Sequence, residues 1–200
     1  MIGIIDYGMG NLKSVQNALE HLGYQSLISS NPKQLDTCEK LILPGVGAFG
    51  DCMNNIHEYG LYEYIKDTKK PLLGICLGMQ MLFEESEEKG NHEGFGFLKG
   101  KVVLIDETNV VIPEIGWNLL EFNQPNPLKQ QLSQNPFVYY VHSYYASNVE
   151  DEDLIAYSMY GNTKVTGIVI KNNVMGCQFH PEKSGEDGLK ILKYFVEEFA

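Results

Sequence analysis

An apolar run, Pro71-Leu72-Leu73-Gly74-Ile75, stops at Cys76, and a helical pattern begins at once with Leu77, Gln80, Met81 and Phe83. No other run constrains the fold as much. A short apolar strand that feeds straight into a helix belongs to a parallel sheet covered by helices on both faces. Gly74 and Gly78 stand two residues either side of the cysteine, so the backbone can pass close to whatever the thiol meets. An elbow of this kind presents a nucleophile at a helix N-terminus, whose partial positive charge favours thiolate over thiol. The same run also reads as a strand ending on a buried core cysteine, as most free cysteines are.

The first half of the chain repeats the strand–helix alternation. Ile2 to Ile5 is a β-rich run. Leu12, Val15, Leu19 and Leu22 then fall on one helical face that Gly23 ends. Tyr24 to Ser29 reads as a strand, and Asn31-Pro32 as a helix cap with proline in the first turn. Leu41-Ile42-Leu43 is a third strand, halted by Pro44-Gly45-Val46-Gly47, with helical stretches following to about Lys66. Glu84 to Gly90 reads as a charged, solvated helix end or loop and nothing more. From Lys101 on, short strands dominate: Lys101 to Asp106, Leu119 to Phe122, Phe137 to Val141, Leu154 to Met159, Val165 to Lys171 and Val174 to Phe179. Asn172-Asn173 marks a hairpin turn, and a closing helix runs from about Gly185 to Phe199. With no linker or repeat in view, residues 1–200 read as one domain.

A hydrophobic content of 44% supports a full core without metal or disulfide staples. Cys38, Cys52, Cys76 and Cys177 show no metal-like spacing, so no metal or cofactor is expected, and the pattern suits a cytoplasmic, reducing setting. The N-terminus has no signal-peptide pattern, and no stretch approaches the roughly 18 apolar residues of a membrane span. A net charge of −11 argues against nonspecific nucleic-acid binding, which needs a basic surface.

The downstream run Gly176-Cys177-Gln178-Phe179-His180-Pro181-Glu182 bears on the role of Cys76. Residues two apart on an extended segment share a side, and Pro181 pushes His180 towards extended geometry, so His180 and Glu182 can leave the strand end together. A cysteine nucleophile needs a base for its proton, and the base needs an acceptor that holds its tautomer. Cys76, His180 and Glu182 fill those roles, whereas His21, His57 and His92 read as packed or surface residues. Acyl transfer also needs donors for an oxyanion. The Leu77 N–H and an N–H from the Gly45-Val46-Gly47 loop supply candidates. That loop lacks the Lys-Ser/Thr ending of a phosphate-binding P-loop.

With Phe179-His180-Pro181-Glu182, the elbow Gly74-Ile75-Cys76-Leu77-Gly78-Met79-Gln80 resembles the class I (triad) glutamine amidotransferases. Asp6 to Leu12, Leu43 to Gly50, Gly116-Trp117-Asn118, Tyr140 to Tyr144 and Pro181 to Gly185 further resemble the glutaminase subunits of imidazole glycerol phosphate synthases. The resemblance spans nearly the whole chain. It implies a three-layer α/β/α fold with an open, mostly parallel central sheet on a flavodoxin-like core, plus antiparallel strands in the second half. It also implies that Cys76 attacks the glutamine side-chain amide, that His180 is base and acid, and that Glu182 orients it. Gly45, Val46, Gly47 and Leu77 would form the oxyanion hole, while Gln80, His142, Ser143 and Tyr144 would hold L-glutamine. The implied partner is a (β/α)8-barrel cyclase, forming a heterodimer that receives ammonia in histidine biosynthesis, with Asn11, Trp117, Asn118 and Lys183 at the partner face. One position departs from the family pattern Pro-His-x-Gly-Trp-Asn: this chain reads Pro113-Glu114-Ile115-Gly116-Trp117-Asn118. A carboxylate cannot supply the donor that an imidazole can. If that segment faces the cyclase, Glu114 alters docking or signalling. The alternatives are local drift offset by the partner, or a paralogue serving another synthase, such as one amidinating a sugar intermediate. A non-catalytic module on this fold, or a cysteine peptidase that works without a partner, are the remaining readings.

Overall fold

Four short apolar segments build the parallel half of the sheet. In the computed structural model, which describes residues 1–108 and 110–199, these are β1 (Ile2–Ile5), β2 (Ser26–Ser29), β3 (Lys40–Gly45) and β4 (Leu72–Cys76). They run parallel in the order β2-β1-β3-β4. Helix α1 (Leu12–His21) joins β1 to β2, and α2 (Pro32–Leu35) joins β2 to β3. Helices α3 (Phe49–Glu58) and α4 (Tyr62–Asp67) lead into β4, and α5 (Leu77–Gln80) is the single turn after it. Asn31 caps α2 by accepting the Lys33 N–H, with Pro32 in the first turn, as its sequence predicts.

The second half supplies β5 (Glu85–Ser86), β6 (His92–Glu93), β7 (Lys101–Leu104), β8 (Glu114–Leu119), β9 (Glu121–Phe122), β10 (Phe137–His142), β11 (Tyr144–Ser147), β12 (Leu154–Tyr160), β13 (Thr163–Lys171) and β14 (Val174–Cys177). Strand β14 lies parallel against β4, then β13, β12 and β9 continue antiparallel, completing an eight-stranded mixed sheet. The β13–β14 hairpin turns through Asn172-Asn173, with Asn172 in the left-handed region. Strands β11, β7, β5 and β6 form a second sheet, and β8 with β10 a separate antiparallel ribbon.

Alternation along the strands divides the core in two. Ile2, Ile4, Ile42, Leu73 and Ile75 meet Val15 and Leu19 of α1 and Ile191, Leu192 and Phe195 of α6 (Gly185–Glu197) on one face. Ile5, Leu41, Leu43 and Leu72 meet Leu35, Phe49, Met53, Ile56 and Ile65 on the other. Helices therefore cover both faces of the parallel half, giving the three-layer α/β/α arrangement.

Three local expectations are corrected. Strand β3 does not stop before Pro44 but runs to Gly45, because β1 pairs with it only as far as Ile42. Beyond that point one side of β3 is an edge, where a residue without an N–H is tolerated. The Glu84 to Gly90 stretch is not merely solvated: Ser86 is buried in β5, which pairs with β6 and β7. Leu119 to Phe122 is not one strand: Leu119 closes β8, which begins at Glu114, and Glu121–Phe122 form β9.

Candidate active site

Cys76 closes β4 and caps α5, with φ 54° and ψ −113°. That left-handed conformation is strained for a cysteine, and it holds the residue at the carboxyl edge of the parallel sheet. The flanking glycines are sterically required. A Cβ on Gly78 would lie 1.8 Å from the Leu43 carbonyl oxygen, and one on Gly74 would lie 2.6 Å from the Gly78 carbonyl oxygen. The elbow thus packs backbone to backbone against β3, and Gly45 sits in register opposite Cys76.

A cleft of about 360 Å3 opens over this elbow. Cys76, Leu77 and Gln80 form its floor, Val46 and Gly47 one side, and His142, Ser143 and Tyr144 the other, with His180 also lining it. Leu77 is the first residue of α5, so no carbonyl within its own helix accepts its N–H. Gly47 has φ +104°, which only glycine adopts without strain.

His180 follows β14 and is buried. Its Nδ1 lies 2.8 Å from Glu182 Oε1, and the short turn Pro181–Lys183 brings the two side chains together. Because a carboxylate only accepts, Nδ1 is the donor of that bond. The histidine backbone is tied to β10: its N–H donates to Tyr139 O at 3.0 Å, and Ser184 Oγ donates to His180 O at 2.6 Å. His180 Nε2 and Glu182 Oε2 are buried with no hydrogen-bond partner among the described residues. Burial opposes charge on the ring, but the Cys76 sulfur and the Glu182 carboxylate together outweigh it, raising His180 to about 10. The sulfur lies 3.8 Å from Gln178 Nε2 and 4.0 Å from Val141 O. Burial pushes the other site-side thiol, Cys52, up to about 11, and drives Cys177 higher still.

Gln80 is buried, and its amide nitrogen donates to Tyr144 O at 2.7 Å and to Gln178 Oε1 at 3.0 Å. Both amide hydrogens are committed, leaving Oε1 as an acceptor without a partner among the described residues. Glu88 is a site residue that no sequence motif marks. It lines the cleft while Oε2 accepts the Phe49 N–H at 2.8 Å. Its only signal was a carboxylate within an acidic run, indistinguishable there from its solvated neighbours. Pro113 and Val141 also line the cleft unforeseen.

A profile described as "Glutamine amidotransferase class-I" matches residues 3–199. The chain is 52% identical over 200 residues to "Imidazole glycerol phosphate synthase subunit HisH" of Lactococcus lactis subsp. lactis (strain IL1403), covering 98% of each. It is 49% identical over 204 residues to the protein of the same name from Sulfurimonas denitrificans (strain ATCC 33889 / DSM 1251), again covering 98% of each. The chain belongs to the HisH family of class I glutamine amidotransferases. The fold is similar to "Crystal structure of glutamine amidotransferase", with TM-score 0.76, 19% identity and coverage of 98% and 97%. It is also similar to "Structure of PurLQS from Thermotoga maritima", with TM-score 0.73, 20% identity and coverage of 100% and 98%.

The other predicted residues of this class I amidotransferase lie outside the cleft. Glu182 stands behind His180, and Gly45 lies within β3. Asn11 is half-buried ahead of α1, Lys183 is exposed, and Trp117 is 56% exposed on β8. Asn118 is turned inward, its Nδ2 donating to Glu114 Oε1 at 2.9 Å and to Met159 O at 3.0 Å. Glu114 also faces inward: it is 2% exposed, and its Oε2 lies 3.1 Å from His142 Nε2. The reason is register. Even-numbered residues of β8 point inward, while Ile115 and Trp117 point out. Among the described residues no helix is long and apolar enough to cross a membrane.

Proposed function

We propose that this chain is the glutaminase subunit of an imidazole glycerol phosphate synthase, with residues 1–200 acting as one amidotransferase domain in the cytoplasm. The observation that carries the reading is the strained elbow at Cys76 sharing one cleft with a His180 braced by Glu182 at 2.8 Å. Cys76 gives its proton to His180 Nε2, and the sulfur attacks the side-chain amide carbon of L-glutamine. The C–N bond then breaks, ammonia leaves with the proton returned from Nε2, and a glutamyl thioester remains. Water attacks that thioester, its proton passing through His180 back to the sulfur as glutamate is released. The Leu77 N–H and a donor from Gly45-Val46-Gly47 serve the oxyanion. Glu88 and Gln80 Oε1 provide acceptors for the substrate's ammonium group, alongside the His142-Ser143-Tyr144 wall.

Ammonia made here passes to a (β/α)8-barrel cyclase in a heterodimer, supporting histidine biosynthesis. Ile115, Trp117, Phe137 and Val141 favour docking beside the cleft: they form one exposed apolar face of the β8–β10 ribbon, and Val141 also lines the cleft. The alternative of a different synthase rests on Glu114, whose side chain faces away from that surface. Titrating the chain with the histidine-pathway cyclase and its ribonucleotide ligand tests the assignment. Glutamine hydrolysis rises with added cyclase; a flat response contradicts it.

A further inference from the structure

Glu114 stands where the family pattern carries histidine, and the fold places it against the cleft wall. It is the cross-strand neighbour of His142 at the end of the β8–β10 ribbon. The carboxyl group accepts from Asn118 through Oε1 at 2.9 Å and meets His142 Nε2 through Oε2 at 3.1 Å. On the other side of the ring, Nδ1 lies 2.8 Å from Tyr144 O. A carbonyl has no proton to give, so Nδ1 donates. Nε2 and Oε2 make the pair's remaining contact. Tyr144 O also accepts from Gln80, Gln80 donates to Gln178, and Gln178 Nε2 reaches the Cys76 sulfur at 3.8 Å. One chain of polar contacts therefore runs from the inner side of the exposed ribbon to the nucleophile.

We propose that Glu114 is a positioning residue for the amino-acid end of the glutamine substrate, acting through His142 on the Tyr144 carbonyl and Gln80. This rests on the glutaminase reading above. Glu114 does not line the cleft and touches no reacting atom. Its loss leaves a buried imidazole nitrogen without a partner and frees the ring to leave Tyr144. A buried polar group left unpaired is costly enough to weaken binding by about five- to tenfold or more. A purely structural pair would lower thermal stability and leave the affinity for glutamine alone.

The test is a set of glutamine saturation curves for the chain assembled with its cyclase and the ribonucleotide ligand. Parent, Glu114→Ala and Glu114→Gln are compared. Glu114→Ala should raise KM about five- to tenfold or more, while kcat moves by less than about threefold. Glu114→Gln should return KM to within about twofold of the parent, because its amide donates to Nε2 and accepts from Asn118. If Glu114→Ala does not fold, Glu114→Leu fills the space without the bonds and carries the same expectation. An alanine or leucine variant with parental KM overturns the proposal, as does a fall in kcat alone, or a glutamine variant as impaired as alanine. A parent complex that does not hydrolyse glutamine overturns the glutaminase reading itself; an active parent with unaffected variants overturns only the role of Glu114.

Discussion

His180 donates through Nδ1 to Glu182 Oε1 over 2.8 Å, a bond that commits one ring nitrogen and leaves Nε2 with no partner among the described residues. Replacing Glu182 by Gln keeps the shape but reverses this chemistry. The new amide carries no charge and can donate towards Nδ1, so the ring loses the acceptor that holds its Nδ1–H and favours the imidazolium. Glu182→Gln should lower kcat for glutamine hydrolysis by about 10²-fold or more, as expected when an acid–base group is disabled. Steady-state rates on a folded variant check this.

His180, held between the Cys76 sulfur and the Glu182 carboxylate, makes stability depend on pH. His180 sits at about 10 in the folded chain, above the 6.5 of an unperturbed histidine. Its contribution is therefore fully present below about pH 6.5 and is lost as pH rises through about 10. Urea unfolding at pH 7 and pH 10 should show the parent losing more stability across that interval than Glu182→Gln. Equal losses would show that Glu182 does not hold the imidazolium.

Gly78 tests the elbow independently of catalysis. Its missing Cβ would sit 1.8 Å from Leu43 O, and the obstacle is backbone that cannot swing aside. Gly78→Ala should destabilise the chain by about 1–3 kcal/mol or more through forced overpacking. The denaturant midpoint reports it.

How far the sequence discloses this molecule depends on which way its side chains face. The strands β1, β3 and β4 and the helices α1 and α6 follow ordinary patterning, because their apolar residues point to the core. The ribbon strand β8 inverts that pattern. It buries Glu114 and exposes Ile115 and Trp117, so its alternation marks a strand but points to the wrong buried face. Cys76, His180 and Glu182 are legible because elbow glycines and an extended His-Pro-Glu run have few other uses. Glu88 was not, since its role arises only when β5 pairs with β7 and swings the acidic run over the start of α3. Long-range contacts of that kind leave no local signature.

Gln178 carries a further prediction. It is fully buried, accepting from Gln80 and reaching the Cys76 sulfur. Gln178→Leu leaves a buried Gln80 hydrogen without an acceptor and removes a donor from the sulfur. The value of kcat/KM for glutamine should fall about tenfold or more, measured against the parent in the same complex.

Cys76 as nucleophile is the central claim, and covalent trapping tests it most directly. The chain, assembled with its cyclase, is incubated with an electrophilic diazoketone analogue of glutamine and analysed by intact mass and peptide mapping. One adduct per chain, located on Cys76 and absent from Cys76→Ala, is the predicted result. Labelling of Cys38, Cys52 or Cys177 instead, or glutamine hydrolysis that survives in Cys76→Ala, would contradict the account.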